Sequence, residues 1–468
     1  MNELHDTLPA RRLTGRCAPH RRALGLAVVL AIAVSHVAAA QSAQDTTRTK
    51  LPPGAVITLQ DAIRIALAQN SQVRFALNNA RLDSLTIRQA RNAFLPNLSA
   101  SGSASQAVLN GAGSDPFSMS AGVSSGVTLF NGGQNRNILA QARTNAGASS
   151  AELGRTRQSV VFNVASDFLA LITQQEQLRV QQENLTAQEQ ELTQLQEFVR
   201  RGTRPIGDLY QQQAAVASTR LALVNARRAS EVAQVNLIQE LVLDPRLDYT
   251  FVTGTDSTAT PRQTFNLDSL ISVAYQQRVD LRAQALRVQA AQTEITIAEG
   301  GRFPVVTGNA GYGTAYNTSG DGGFITQLNQ RRGGSVGLGV SVPIYDRGAV
   351  SIARQRAQVQ LENELLTMRD LQESVALDVR RAYLDYVAAG EQLAASNAQQ
   401  AAAALFLQAA QARYRVGLAT LVEVTLARAS LIQAESAVVN ARASLIFQQA
   451  LMSYYTGVLD PANVTLGG

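Results

Sequence analysis

The sequence Leu129-Phe130-Asn131-Gly132-Gly133 has a counterpart 215 positions later, Ile344-Tyr345-Asp346-Arg347-Gly348. Other landmarks recur in the same order: residues 57–62 with 265–270 and Pro96 with Pro304 at an offset of 208, Arg201-Gly202 with Val416-Gly417 at 215, and Leu243-Asp244-Pro245 with Leu459-Asp460-Pro461 at 216. A fixed order at nearly constant spacing indicates an internal repeat, here two copies of a unit of about 200 residues. The offset grows by seven between residues 97–130 and 305–345, which predicts one lengthened loop.

Two long segments without proline, residues 134–200 and 349–416, occupy matching places in the two copies. Both are rich in Ala, Gln, Leu, Glu and Arg, which are strong helix formers. A helix over residues 134–200 would be about 100 Å long at ~1.5 Å per residue. A short break follows each segment, and a second helix then returns. We predict that the return helices end at Asp244-Pro245 and Asp460-Pro461, because proline cannot continue a helix.

The second return helix carries two apolar seams. One runs through Val424, Ala427, Leu431, Ala434, Val438, Ala441 and Leu445, and the other through Ile432, Ser436, Val439, Ala443, Ile446 and Ala450. A single seam of this spacing is typical of a two-stranded coiled coil, so two seams predict neighbouring helices on both sides. The inner helices of an ordinary bundle also meet two neighbours, and this alternative stays open.

Strand patterns precede each long helix. Apolar and small polar residues alternate over residues 119–129 and 336–344, which is the period and length of a membrane β-strand, and residues 98–109 and 305–316 show weaker strand patterns. A soluble four-stranded sheet is the alternative. Four strands cannot close a barrel, and an open edge cannot face lipid, so membrane strands would have to be pooled from several copies.

The connections between these strands also carry predictions. Gly111-x-Gly113 is expected to top a strand hairpin, and residues 317–333 are expected to form an extracellular loop that exposes Arg331 and Arg332. The aromatic residues expected at the membrane interface are Phe130, Tyr312, Tyr316 and Tyr345.

The amino terminus has the pattern of a secretory signal peptide. Five arginines precede an apolar run over residues 23–34, and Ala38-Ala39-Ala40 offers a small-residue cleavage site. An uncleaved membrane anchor is the alternative, although the run is short for a spanning helix.

All three histidines and Cys17 lie in this leader, so the chain from residue 41 onward holds no His, Cys or Trp and a single Lys. That composition excludes histidine- or cysteine-dependent nucleophilic catalysis, thiolate or imidazole zinc sites and lysine Schiff bases.

Charge gives little indication of a nucleic-acid partner. The leader contains five arginines and two acids, so its removal lowers the formal net charge from +6 to +3. A surplus this small on an exported chain does not predict binding to nucleic acid. We therefore expect an exported protein with no enzymatic activity, no cofactor and no nucleic-acid partner.

The order of short helix, strand pair, long helix, tip turn and return helix, present twice, resembles the TolC-type outer-membrane efflux family. The most specific local matches are residues 129–133 and 412–420, and the resemblance covers residues 56–462. It implies a mixed α/β membrane protein with two internal repeats. Three copies would form a long α-helical coiled-coil barrel in the periplasm and a twelve-stranded transmembrane β-barrel in the outer membrane, with four strands from each chain.

The expected domain boundaries follow from the repeat and the resemblance. They are 1–40 for the signal peptide, 41–55 for a disordered linker, 56–250 for the first structural repeat, 251–264 for a second linker, 265–462 for the second structural repeat and 463–468 for the C-terminal tail.

The resemblance further implies roles for residues at the two helical tips. By position, the surface for a periplasmic adaptor comprises Gly202, Thr203, Arg204, Val416, Gly417 and Leu418. Helix capping is the alternative reason for the two glycines. The polar links and the acidic ring that close the family's entrance match Asp208, Tyr414 and Glu423. A packed core aromatic and a solvated surface acid are the alternatives for Tyr414 and Glu423.

Two positions depart from the family pattern at this entrance. Leu426 stands where the family has a second acid, and Ala419 stands where it has an arginine, so the gate is expected to be looser or differently held. The sequence thus predicts a passive exit duct of a tripartite efflux pump or type I secretion system, joined through the adaptor to an inner-membrane transporter. A periplasmic adaptor or structural coiled-coil protein is the alternative, although it would normally have one helical hairpin between β-rich soluble domains.

Overall fold

The computed structural model describes residues 52, 54–106, 117–252 and 264–459. The predicted signal peptide, most of both predicted linkers, Gly111-x-Gly113, Asp460-Pro461 and the C-terminal tail lie outside the described residues.

Nine helices and six strands account for most of the described chain. The strands are β1 (Val56–Ile57), β2 (Asn97–Gln106), β3 (Phe117–Asn131), β4 (Thr250–Phe251), β5 (Val305–Asn317) and β6 (Gly333–Ser341). The helices are α1 (Leu59–Gln69), α2 (Ser71–Asn92), α3 (Gln134–Arg200), α4 (Ile206–Glu240), α5 (Leu267–Gln277), α6 (Val279–Gly300), α7 (Phe324–Gln330), α8 (Ala349–Arg415) and α9 (Leu421–Tyr455).

Eight of the nine described helices match in pairs between the two halves of the chain. Helices α1 and α5 each have 11 residues, α2 and α6 each have 22, α3 and α8 each have 67, and α4 and α9 each have 35. The predicted repeat and both predicted long helices are therefore confirmed, and the long helices continue through Gly147, Gly154 and Gly390. Among the described residues, no helix combines the length and the apolar composition needed to cross a membrane.

The four longer strands form one antiparallel sheet in the order β2-β3-β5-β6. The prediction for the last strand was wrong at its end, because β6 stops at Ser341 and leaves Val342 and Ile344 outside the sheet. Pro343 has no backbone N–H to donate to a neighbouring strand, which accounts for the early end. The equivalent strand β3 continues to Asn131 through an irregularity between Thr128 and Phe130.

The lengthened loop of the second copy contains a helix that the sequence analysis did not predict. Helix α7 lies between β5 and β6, and Arg331 and Arg332 directly after it are exposed, as predicted. Gln327 of this helix is buried, and its amide donates to the carbonyls of Asn317, Gly320 and Gly322 at 2.9–3.0 Å. These bonds fix the connection over the end of the sheet.

The return helices end earlier than predicted, at Glu240 and Tyr455 rather than next to the prolines. In α4, the N–H of Val242 donates to the carbonyl of Gln239 at 3.0 Å and that of Leu243 to Ile238 at 3.1 Å. This is the Schellman arrangement, which requires a left-handed residue after the helix. Val242 and Gly457 supply it, with φ of 55° and 76°. Backbone hydrogen bonding thus stops each helix before proline is reached.

Packing follows the two-seam prediction for α9. This helix lies against α8 on one side and α3 on the other. Val424, Ala427 and Ala434 of its first seam are buried, while the second seam is half-buried. The largest apolar core surrounds Phe168 in the middle of α3, where α1, the end of α4 and the short β1–β4 pair meet.

A turn with left-handed backbone conformation precedes the long helix in each repeat. Two consecutive residues have positive φ in both copies, 65° and 78° at Gly132 and Gly133, and 56° and 79° at Arg347 and Gly348. The side chain of the preceding residue then caps the helix: Asn131 accepts from the N–H of Asn135 at 3.2 Å. Its counterpart Asp346 accepts from the N–H of Val350 at 2.9 Å.

Gly132 and Gly133 should respond differently to alanine. A Cβ at Gly132 would lie 2.2 Å from the carbonyl oxygen of Gly300, whereas a Cβ at Gly133 would meet nothing within 4 Å. Gly133→Ala should therefore cost about 1 kcal/mol of left-handed backbone strain, and Gly132→Ala should cost about 3 kcal/mol because a steric clash adds to that strain. Thermal loss of helical circular dichroism in detergent measures the order; equal midpoints for the two variants would contradict the packing argument.

Candidate functional site

The two tips of the helical hairpins have the same backbone construction. The N–H of Gly202 donates to the carbonyl of Val199 at 2.9 Å, and that of Gly417 donates to Tyr414 at 3.0 Å. Both glycines have positive φ, 73° and 83°, which favours glycine over any residue with a Cβ. Helix capping is thus a sufficient reason for both glycines, independent of any partner.

The six residues predicted for adaptor docking are not equally accessible. Gly202, Thr203, Val416, Gly417 and Leu418 are exposed on the two turns. Arg204 is half-buried because its side chain lies against the second hairpin. The second turn leads into α9 through Thr420, whose hydroxyl accepts from the N–H of Glu423 at 3.3 Å. The first turn leads into α4 through Pro205, which has no side-chain cap.

Two of the three predicted gate residues meet at the tips. The hydroxyl of Tyr414, in the last turn of α8, donates to Oδ2 of Asp208, in the first turn of α4, at 3.1 Å. The Tyr414 side chain is only 9% exposed and packs in an apolar cluster that includes Leu195 and Leu421. Tyr414 is therefore both a packed aromatic residue and a hydrogen-bond donor between the two repeats.

Arg204 contacts the same tyrosine from the other side. Its guanidinium carbon lies 4.1 Å from the centroid of the Tyr414 ring, and one of its N–H groups donates to the Tyr414 backbone carbonyl. A cation over a tyrosine face contributes about 0.5–2 kcal/mol, more as the pair is desolvated. The carbonyl lies at the C-terminal end of α8, where the helix dipole also favours a positive charge.

Glu423, the third predicted gate residue, lies apart from this contact. Its carboxylate forms an ion pair with Arg413 at 2.5 Å across the second turn. The Arg413 side chain is 55% exposed, so the pair is partly screened by solvent. The carboxylate is nevertheless compensated by a charge of its own chain, which the sequence analysis did not foresee.

Another ion pair lies above the tips and, unlike the Arg413–Glu423 pair, joins the two repeats. Arg428 of α9 donates to Glu191 of α3 at 2.7 Å, and the two side chains are 10% and 19% exposed. They border a cleft of about 350 Å³ that also reaches Tyr414 and Phe198. The two residues lie 237 positions apart in the sequence, so only the packing of α3 on α9 brings them together. Removal of one partner would leave a buried charge uncompensated.

The predicted interface aromatics lie at different levels of the sheet. Phe130 lies at the end of β3 next to the long helix, and Tyr345 follows the matching end of β6. Tyr316 lies near the opposite end of β5, while Tyr312 lies close to the middle of that strand, opposite Val123.

Sequence reasoning missed two aromatic residues around Tyr316. Phe117 and Phe324 surround its ring, with centroids at 6.4 Å and 4.9 Å. Phe324 belongs to the unpredicted helix α7, so no periodic pattern could have identified it. In the part of the chain that the structure describes, no group of three or more acidic side chains is arranged to hold a metal ion.

The ionisation of Tyr414 offers a test of this geometry. Burial first, then the hydrogen bond to Asp208 and its charge, raise the pKa of Tyr414 from 10.0 to about 12. Because the folded state holds this proton more tightly, the residue's contribution to stability is complete below pH 10 and is lost between pH 10 and about 12.

The phenolate absorbance that disappears in Tyr414→Phe should have its midpoint near pH 12 in the folded protein and near 10 in denaturant. Asp208→Asn should lower the folded midpoint only in part, since burial is the main cause. A folded midpoint near 10 would contradict the observed contact.

Known proteins resemble this chain in amino-acid sequence. The outer membrane efflux protein family model matches residues 62–241 and 270–457, one segment in each repeat. The chain is 24% identical over 330 residues to the outer membrane protein TolC of Vibrio cholerae, which covers 70% of this chain and 74% of that protein. It is 23% identical over 408 residues to the outer membrane efflux protein BepC of Brucella suis, with 86% and 85% covered.

The fold itself is shared with a solved structure. A crystal structure of CusC superposes with a TM-score of 0.74 at 19% identity, over 85% of this chain and 92% of that one. The family match spans most of the sequence in two segments that coincide with the two structural repeats. The chain belongs to the outer membrane efflux protein family, the TolC-type channels with a β-barrel in the outer membrane and a helical barrel in the periplasm.

Proposed function

We propose that three copies of this protein form one closed channel, the passive exit duct of a tripartite efflux pump or a type I secretion system. Energy and direction come from an inner-membrane transporter, and a periplasmic adaptor joins it to the duct. Proteins similar to this chain are channels rather than enzymes, and we propose that this chain catalyses no reaction. Export through the signal peptide of residues 1–40 is part of the proposal.

The proposal of a ring rests on one observation. The second apolar seam of α9 is covered by α3, whereas the equivalent seam of α4 in the first repeat is exposed. In α9, the seam residues Ser436 and Val439 face α3: Gln177 donates to the Ser436 carbonyl at 3.0 Å, and Val439 lines a groove together with Leu169. In α4, the equivalent positions 215 residues earlier are Leu221 and Val224, which are 63% and 62% exposed.

Helix α8 carries a surface that fits this bare seam. Leu169 of α3 lines a groove with the seam residue Val439 of α9, and Phe162 of α3 lies 5.7 Å between ring centroids from Phe447, which follows the seam residue Ile446. The equivalents of Phe162 and Leu169 in α8 are Leu377 and Leu384, which are both exposed. Packing α4 of one copy on α8 of the next would therefore repeat a contact that each chain already makes internally. Repetition of the same contact is the way in which rings close.

The sheet supports the same arrangement. Its two outer strands, β2 and β6, each have one unpaired edge within the described residues. By equivalence with the β3–β5 pair, β6 of one copy would pair with β2 of the next. Val336 and Leu338 on β6 are exposed large apolar residues, which suits a surface that faces lipid. Three chains with four strands each give twelve, within the range of closed membrane barrels.

The tips are the proposed site of docking and gating. The adaptor would contact Gly202, Thr203, Val416, Gly417 and Leu418, which are exposed, together with the half-buried Arg204. Asp208 and Tyr414 would form the latch of the resting state, because a hydroxyl–carboxylate bond can break without covalent change. Glu423 would line the entrance, and its pairing with Arg413 leaves less net negative charge there than a ring of free carboxylates would.

Val224→Asp tests the ring. A carboxylate in the proposed seam would be desolvated between copies, so the fraction of trimer in light scattering after gel filtration should fall strongly. Ser218→Asp is the matched control, because Ser218 is exposed and so is its equivalent Gln433 in α9. Equal assembly of the two variants would refute the proposed seam.

The latch is tested by conductance in a planar lipid bilayer. Tyr414→Phe combined with Asp208→Ala removes the hydrogen bond between the repeats, so the resting conductance should rise several-fold. Tyr210→Phe makes the same chemical change at an exposed tyrosine of α4 and should leave conductance at the wild-type level. An unchanged conductance in the double variant would rule out this pair as the latch.

A further inference from the structure

We infer that Arg204 is a positioning residue for the latch: it holds Tyr414 in the closed arrangement and ties the first tip turn to it. The inference rests on the proposed gating function. It extends that function to a residue assigned above only to the docking surface, and it makes the latch a contact of three side chains.

The three groups hold Tyr414 in complementary ways. Asp208 fixes the hydroxyl at 3.1 Å, while Arg204 covers the ring face at 4.1 Å and binds the backbone carbonyl of the same residue. The hydrogen bond holds the hydroxyl end of the side chain, and the apolar cluster that includes Leu195 and Leu421 packs around Tyr414. The guanidinium adds contacts on the ring face and at the backbone carbonyl, so an outward movement of Tyr414 must break these contacts as well.

Arg204 is also rigidly attached to the first turn. Thr203 before it donates from its hydroxyl to the Phe198 carbonyl at 2.9 Å, and Pro205 after it has a fixed φ of −71°. A displacement of this turn by a bound partner would therefore pull the guanidinium away from Tyr414. Across the described residues, no carboxylate lies within ion-pair distance of Arg204 that would hold it elsewhere.

The repeat shows that this contact occurs once per chain. The positions equivalent to Arg204 and Tyr414 are Ala419 and Val199, 215 residues away in either direction. Alanine and valine can provide neither a cation nor a phenol. In the proposed ring, the interface between copies would therefore have no counterpart of the Arg204–Tyr414 contact, and each chain would contribute one latch of its own.

The test compares resting conductance in planar bilayers for Arg204→Gln and Arg201→Gln. Arg201 is the matched control, because it lies in the same turn and, within the described residues, its only ion pair is a 4.0 Å contact with Glu197 of its own helix. Arg204→Gln should raise the conductance several-fold, and Arg201→Gln should not. Arg204→Lys, which keeps a cation near the ring, should restore part of the closure. Gel filtration with light scattering confirms that each variant is assembled.

Coupling to Tyr414 separates a positioning role from general loosening of the tip. In a Tyr414→Ala background, Arg204→Gln should add nothing to the conductance, because the group on which it acts is gone. Independent, multiplying effects of the two substitutions would overturn the inference, and so would an Arg204→Gln channel that behaves like Arg201→Gln. If Asp208→Ala raises conductance and Arg204→Gln does not, only the Arg204 inference fails. If neither does, the proposed latch fails as well.

Discussion

The contact of one structural repeat with the next is the interaction on which the rest of this protein depends. Helix α3 is about 100 Å long at ~1.5 Å per residue, and a helix of that length exposes apolar surface on more than one side. Within the chain, α9 covers one side of α3. The equivalent surface of α8 stays uncovered, with Leu377 and Leu384 exposed. A single chain thus makes the contact between repeats once, and the proposed ring would leave neither the seam nor a strand edge open.

The two hairpin tips have the same backbone conformation but different side chains, and this difference gives each tip its own contacts. Both hairpins turn through a glycine of positive φ. The first turn places Arg204 on a tyrosine of the other hairpin, whereas at the second turn Arg413 pairs across the turn with Glu423 of the same hairpin. The buried Glu191–Arg428 pair likewise joins the two repeats within a chain, while the equivalent positions hold Phe406 and Gln213. Divergence at these few positions makes the interface within a chain more polar than its proposed counterpart between chains.

The strength of these links suits the proposed gate, which would have to open without chemical energy of its own. A hydrogen bond to a charged group, such as that of Tyr414 to the Asp208 carboxylate, contributes about 1.5–3 kcal/mol, and a cation–π contact contributes about 0.5–2 kcal/mol. Contacts of this size would hold the proposed resting state and would yield to the free energy of docking a partner. The buried cluster around Phe168 involves many more apolar side chains than the cluster around Tyr414 at the tips, so movement of the tips would expose less apolar surface than disruption of that core.

Features that depend on residues close together in the chain could be predicted from the amino-acid sequence. Proline-free segments marked the long helices at 134–200 and 349–415, alternation located the strands, and landmarks at constant offset revealed the two repeats. Local hydrogen bonding was harder to read: Val242 and Gly457 end the return helices before the prolines, and Gln327 organises a helix inside the loop of residues 317–333. Only the tertiary structure placed Arg204 on Tyr414 and Arg428 on Glu191, more than 200 positions away. Periodicity tells which face of a helix is buried, but the partner of a polar side chain is decided by how two distant helices pack.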